Sequence, residues 1–314
     1  MSFSSLRGVT PYILRRLVQS AIIIIALSIL SFLGLALAPG DPTQTILGQT
    51  WTPERANVLR ATLGLDKPLE VRYINWLSGA IHGDLGRSYT TNEPVSVVVL
   101  RAIPISLQLA LASLLISLSV GSIMGIFSAI KRGSALDYLS RIFVVCMSSM
   151  PIFWLGLIII YIFAVKLPIF PTGGLTSASS IVLPAACLSC YSLAGSVRMM
   201  RSAMLETLPR DYIRTVRAYG FSERVVIFRH ALRNVMIPVV TMSGLYLGAL
   251  IGSSIITENV FAWPGLGTMI ISAVFTRDTP VVLGGVLAVA VFYSMINLCL
   301  DILYVYLDPR IQLR

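Results

Sequence analysis

The chain has 314 residues, 56% of them hydrophobic and 12% charged, with a formal net charge of +10. An average soluble domain carries roughly a quarter charged residues, so this composition leaves too little polar surface to cover a water-soluble core. The uncharged residues fall into long runs that can span the ~30 Å hydrocarbon layer as helices.

The first run, Leu17 to Ala38, follows Arg15 and Arg16. Ala36-Leu37-Ala38 has the look of a signal-peptide cleavage site, but the run is longer than an ordinary signal core and Pro39 follows directly, so a retained helix is expected. Between Pro39 and Arg101 lies the one outside segment large enough to fold. There Thr52 suits an N-cap, Pro53 the first helical position, and Gly64 a stop after Leu59 and Leu63. A second helix is expected from about Pro68 to Ile81, closed by Gly83, with Leu69, Tyr73 and Leu77 on one face. Together they read as a small extracytoplasmic helical cap.

Five further spans follow: Ala102 to Ile130, Ile142 to Val165, about Ser180 to Val197, Val235 to Thr257, and Thr279 to Leu300. Leu167 to Ser179 reads as loop because Pro168, Pro171, Gly173 and Gly174 interrupt it. The expectation is an all-α polytopic membrane protein with six transmembrane helices. Its organisation is a cytoplasmic N-terminus and first helix over 1–38, the cap over 39–101, and a five-helix core over 102–314 containing a cytoplasmic segment at 198–234.

Lys and Arg counts set the orientation. With the N-terminus inside, 16 of the 24 basic residues are cytoplasmic, eight of them between Arg198 and Arg233. Both termini are then cytoplasmic, and the positive charge is a topology signal that needs no nucleic acid. The 198–234 segment is too long for a plain connector. Helical spacing around Tyr212, Thr215 and Val216 breaks at Gly220-Phe221-Ser222 and resumes at Val225. Its arginines suit either lipid headgroups or a docking knob for a cytoplasmic protein.

Within the spans, Gly244, Gly248 and Gly252 recur every four residues, and Gly121 and Gly125 form a shorter stripe. Such stripes let helices approach closely, within one bundle or at a subunit interface. Pro104, Pro151, Pro184 and Pro238 are expected to kink their helices. Cys146, Cys187, Cys190 and Cys299 all fall in spans and read as small buried apolar residues. None of Lys67, Lys131 and Lys166 precedes Ser or Thr, so no phosphate loop is present. His82 and His230 fall on opposite sides of the membrane and share no metal. Asp301, the one carboxylate in a span, sits near the inner end, where it can reach the headgroups.

The stretch Asp211 to Gly220, continuing through Arg229-His-Ala-Leu-Arg-Asn234 to Pro238, resembles the permease signature of bacterial binding-protein-dependent ABC importers, and more narrowly the dipeptide, oligopeptide and nickel permease family. Supporting matches are Pro39-Gly-Asp-Pro42, Leu63 to Leu69, Gly83-Asp-Leu-Gly86, Glu258 to Gly267, Arg277-Asp278 and Asp308-Pro-Arg310. Where the general signature favours Glu-Ala-Ala, Arg214-Thr-Val216 stands here. The resemblance implies a type I ABC importer permease fold in the bacterial inner membrane, with Arg214, Thr215, Arg217, Ala218, Gly220, Phe221 and Ser222 in a coupling helix that contacts an ATPase. It implies a second homologous permease, two ATP-binding subunits and an extracytoplasmic solute-binding protein as partners, with ATP and Mg bound by the ATPase subunits and no cofactor on this chain. Solute, a small peptide or nickel or a metal chelate, would pass by alternating access, with Gln108, Met147 and Asn297 offered as path residues. The competing class is a secondary transporter or channel uncoupled from ATP.

Overall fold

The computed structural model describes residues 3–38 and 40–307; Pro39 and the Asp308-Pro-Arg310 motif lie outside the described residues. The chain order is α1 (Phe3–Leu37), α2 (Pro42–Leu47), α3 (Pro53–Thr62), α4 (Leu69–Ile81), α5 (Val95–Ile130), α6 (Ala135–Ser149), α7 (Ile152–Ile160), α8 (Val182–Thr207), α9 (Asp211–Ala218), α10 (Glu223–Val225), α11 (Leu232–Val260), α12 (Leu266–Phe275) and α13 (Thr279–Leu307). Short π segments, Tyr161–Lys166 and Val226–Ala231, extend α7 and precede α11. Among the described residues the only strand-like pairing is the bridge between Arg87 and Pro94.

Four helices are long and apolar enough to cross a membrane, or up to six if each of two bent pairs is one span. The expected third span is not one helix. α6 and α7 meet at Pro151 at 106°, because Pro151 opens α7 in extended conformation (φ −58°, ψ 132°) and cannot donate back into α6. The segments Glu223–Met236 and Thr241–Val260, which flank Pro238, meet at 61°. α5 begins at Val95, before the expected Ala102, and α8 runs on to Thr207, past the expected Val197. The ten-residue apolar helix α12 had no counterpart among the expected elements, being too short to register as a span.

The contacts divide the chain into two units. One takes in the described residues up to Ser106 together with Pro264–Leu298. The helices α3 and α4 form in it at the expected places. Thr52 Oγ1 accepts from the Arg55 amide, 3.3 Å away, and Gly64 and Gly83, at φ +66° and +84°, end α3 and α4. α4 is tied to α1 by the Ser28–Tyr73 hydroxyl pair (2.8 Å) and by the Phe32 and Tyr73 rings, 5.4 Å apart. The unit's core joins Val95, Val99 and Ala102 of α5 to Ile270 of α12 and Val281 of α13. Asp278, between α12 and α13, is buried and accepts from the Ser88 hydroxyl and the Thr90 amide, pinning the loop before α5.

The other unit takes in Leu107–Trp263 and Cys299–Leu307. α8 is its centre, packed by α6, α7 and α11. Gly121 and Gly125 bring α5 onto α8: a Cβ on Gly125 would stand 2.7 Å from that of Met200. Gly173 packs its backbone on the Phe261 carbonyl, and the Gly174 amide donates to that carbonyl at 2.8 Å. Cys187 is buried beside Leu155, Leu183 and Phe261, as expected for a small apolar residue. Cys146 and Cys299 are instead exposed on the chain's surface; span position alone does not say which helix face a residue takes.

Candidate functional site: a projecting helix and turn at 211–223

α9 is short, and one fully buried residue seats it. Ile213 sits in a cluster with Met200 and Met204 of α8 and with Val226, Ile227 and Ala231 of the π segment. The remaining residues of the helix face outward or are half-buried. The Thr215 hydroxyl donates to the Asp211 carbonyl (3.0 Å), and Arg214 approaches the Asp211 carboxylate at 3.7 Å. Asn234 donates to the Tyr212 hydroxyl at 2.8 Å, tying the start of α9 to α11.

The helix ends where the sequence breaks. The Gly220 amide donates to the Arg217 carbonyl (2.9 Å), and Gly220 takes φ +80°, the left-handed C-terminal stop that glycine adopts without a Cβ penalty. A Cβ there would meet nothing within 4 Å, so backbone conformation and not space demands the glycine. Arg217 then closes the turn, its guanidinium donating to both carboxylate oxygens of Glu223 (2.7 and 3.4 Å) and to the Leu208 carbonyl (3.4 Å). An exposed pair of this kind adds at most about 1 kcal/mol, but its fork geometry fixes the angle between α9 and α10.

The turn presents Tyr219 at 78% and Phe221 at 51% exposure, with Ala218, Gly220 and Ser222 exposed beside them. Phe221 is propped by His230, with ring centroids 5.8 Å apart. Two exposed aromatics among arginines, on a turn anchored by Ile213, form the residue set that dominates protein interfaces. The seven residues expected in the coupling helix, Arg214, Thr215, Arg217, Ala218, Gly220, Phe221 and Ser222, thus all lie on one exposed helix and turn.

The remaining site candidates are dispersed. Gly244 packs against Leu300, Gly248 is buried, and Gly252 is exposed with nothing within 4 Å of a Cβ. Gln108 is exposed on α5, Met147 packs at the edge of the Leu155–Phe261 cluster, and Asn297 donates to the Tyr293 carbonyl of its own helix at 3.0 Å. Sequence reasoning missed the buried pair Asp137–Arg201. The carboxylate, 1% exposed, accepts from Arg201 Nε (2.9 Å) and Nη2 (3.1 Å), from the Ser128 hydroxyl (2.5 Å) and from the Gly133 amide (3.1 Å). The Ser134-x-x-Asp137 spacing, a capping signal that the structure realises at 3.4 Å, could have located its acidic half.

Long apolar helices, four of them or up to six with the bent pairs, define the class as an integral membrane protein. The sequence profile described as "Binding-protein-dependent transport system inner membrane component" matches residues 121–313, and the N-terminal membrane-component profile of the same systems matches residues 9–110. The chain belongs to this family of binding-protein-dependent transport system inner membrane components, and is a transport component and not a catalyst. It is 39% identical over 311 residues to a putative peptide transport system permease protein of Brucella abortus, covering 96% of this chain and 99% of that one. The dipeptide transport system permease proteins DppB of Alkalihalophilus pseudofirmus and Escherichia coli are 39% and 38% identical, each over 96% of this chain and 99% and 98% of their own lengths. A chain of the MetNI methionine ABC transporter, in an inward-facing conformation, superposes with a TM-score of 0.55 at 20% identity, over 69% of this chain and 99% of that chain; it shares the fold.

Proposed function

We propose that this chain is one of two permease subunits of an ATP-driven importer of small peptides, with six spans and both termini cytoplasmic. The Lys and Arg excess in the segments that this topology places inside supports the orientation. Similarity over nearly the whole chain to proteins named as peptide and dipeptide permeases favours peptides over nickel.

The observation that carries the ATP-driven reading is the Tyr219-Gly220-Phe221 turn, held out from the bundle and braced by Arg217–Glu223. A separate cytoplasmic ATPase would grip it, a second homologous permease would complete the path, and a solute-binding protein would deliver peptide to the outer face. ATP and Mg belong to the ATPase subunits. Closure of the ATPases biases the spans only through the difference in free energy of this grip between the two states. Ile213 supplies the mechanical link, buried among α8 and the residues leading into α11.

The test is uptake of a labelled dipeptide in cells lacking their own dipeptide permeases and supplied with the whole system. Gly220→Trp is expected to leave the chain in the membrane at normal abundance while uptake falls at least ten-fold. A Walker A mutation in the ATPase is expected to do the same. Undiminished uptake in either case sinks the coupling assignment, and nickel uptake without dipeptide uptake sinks the substrate class.

A further inference from the structure

Three neighbouring cavities in the N-terminal unit all have Phe32 of α1 in their walls. The largest polar one, 290 Å³, is walled by Arg60, Arg72 and Arg277 with Asp41. The second, 160 Å³, shares Arg72 and adds Lys67, Tyr89 and Trp76. Four cations thus face one carboxylate, and that carboxylate is engaged: Asp41 accepts from the Thr43 amide (3.0 Å) and hydroxyl (2.7 Å) and pairs with Arg60. Burial pulls the Asp41 pKa up, but the Thr43 and Arg60 bonds outweigh it and hold the group below its ordinary value. Arg72 lies over the Phe32 ring at 5.8 Å, and no carboxylate comes within ion-pair distance of it among the described residues. The Trp76 indole N–H is buried without an acceptor among the described residues. Arg277 is already engaged, donating to the Ala38 carbonyl at 3.2 Å, so the excess of donors rests on Arg72, Lys67 and Trp76 against an engaged Asp41, which is the chemistry of an anion site.

The third cavity, 320 Å³, is of the opposite character. It is a groove between α1 and α4 lined by Ile29, Leu33, Leu69, Tyr73 and Ile74, with Glu70 the one charged residue in its wall. Leu33 and Ile74 are exposed. The order along α1 is the informative part. The groove lies against Ile29 and Leu33, within the span Tyr12–Leu37, while the cationic cavities begin at Phe32 and continue past the end of the helix to Ala38 and Gly40. From Phe32 to Leu37 is about 8 Å at ~1.5 Å per residue, so the cations sit at headgroup depth and the apolar groove sits deeper. That sequence of polarity matches one molecule of an amphiphile lying along the helix, phosphate outward and chain inward.

We propose that the α1–α4 corner is a binding site for one anionic phospholipid, its headgroup phosphate held by Arg60, Arg72 and Arg277 and an acyl chain in the Ile29–Ile74 groove. Under the topology proposed above, the lipid comes from the outer leaflet. The site lies at the base of the cap helices α3 and α4, so an occupied headgroup cavity braces them against α1 and the α12–α13 turn.

Native mass spectrometry of the purified full chain with added lipid tests this without reference to transport. Phosphatidylglycerol is expected to be retained at least five-fold better than phosphatidylethanolamine, with Arg72→Gln removing the preference and Arg72→Lys keeping most of it. Leu33→Trp, which fills the groove, is expected to weaken phosphatidylglycerol but leave binding of soluble glycerol phosphate unchanged. Equal retention of the two lipids by the unmodified chain overturns the proposal whatever the variants do. So does binding of inorganic or glycerol phosphate as tight as that of the lipid, which would mark a site for a soluble anion, or a dipeptide that competes for the site.

Discussion

The Asp137–Arg201 pair shows what a single residue can hold and what sequence conceals. Ser128 ends α5, Gly133 makes the turn, Asp137 opens α6 and Arg201 lies late in α8, so one carboxylate gathers four places in the chain. Arg201 counts among the eight arginines that the charge pattern assigns to the cytoplasmic side, and nothing in its neighbourhood separates it from the seven others. Gly220 was legible because a break in helical spacing needs a left-handed residue and glycine is the residue that supplies it. The Ser134-x-x-Asp137 spacing marks the carboxylate, but nothing local marks its partner 64 positions away. Removing Arg201 leaves the Asp137 carboxylate, 1% exposed, with the 3.6 Å approach of the exposed Arg141 as its remaining cationic partner among the described residues; breaking a buried pair costs about 3–5 kcal/mol, and Arg141 offsets part of that. Arg201→Ala is therefore expected to lower the thermal midpoint of the detergent-solubilised chain by several degrees, and Asp137→Asn combined with it to recover part of the loss. A single variant as stable as the parent would show that the pair contributes nothing.

Among the elements, those with local punctuation were readable and those defined by their neighbours were not. α3 and α4 appear where Thr52, Pro53, Gly64 and Gly83 place them, because capping is settled within a few residues. The bend between α6 and α7 escaped because hydropathy measures composition along a run and is blind to direction; Pro151 announces a break but not a 106° one. The glycine stripes lie between these cases. Spacing of four says that a helix can come close, not which helix comes. The structure supplies the partner: Gly121 and Gly125 meet Ser196, Val197 and Met200 of α8. A leucine at Gly125 has to displace Met200, which is buried, and overpacking of this kind costs roughly 1–3 kcal/mol. Gly125→Leu is expected to insert normally and to unfold at a lower temperature, whereas Gly133→Ala, whose Cβ enters open space in a turn at φ +78°, is expected to lose only the ~1 kcal/mol of backbone strain. Thermal scans of the two variants side by side check the contrast, and equal losses would mean that the α5–α8 approach is not tight.

Across the whole molecule, the apolar helices were readable from the sequence because the bilayer fixes their length, while their grouping into units was not. α12 and α13 belong with the N-terminal unit through Ile270, Val281 and the Asp278 latch, contacts that skip more than 150 residues of chain. The isolated chain leaves part of its apolar surface open. Along α11 the stripe changes character: Gly244 is packed by Leu300 and Gly248 is buried, but Gly252 is exposed, with Leu245 and Ile256 exposed on the same helix. Lipid would cover such residues equally well, yet it has no use for a glycine, which removes apolar area and lowers helix stability by about 1 kcal/mol. The second permease proposed above, closing onto α11, would have a use for it, because a missing side chain lets backbones approach. Gly252→Trp is accordingly expected to leave the thermal midpoint of the isolated chain within about a degree, because the ring enters open space, and to cut copurification with the partner permease at least ten-fold. Gly244→Trp is the control that separates the two sides of the stripe: it must displace Leu300 within this chain, so its midpoint falls before any partner is added. Full assembly of the Gly252→Trp chain with its partner would assign this face of α11 to lipid.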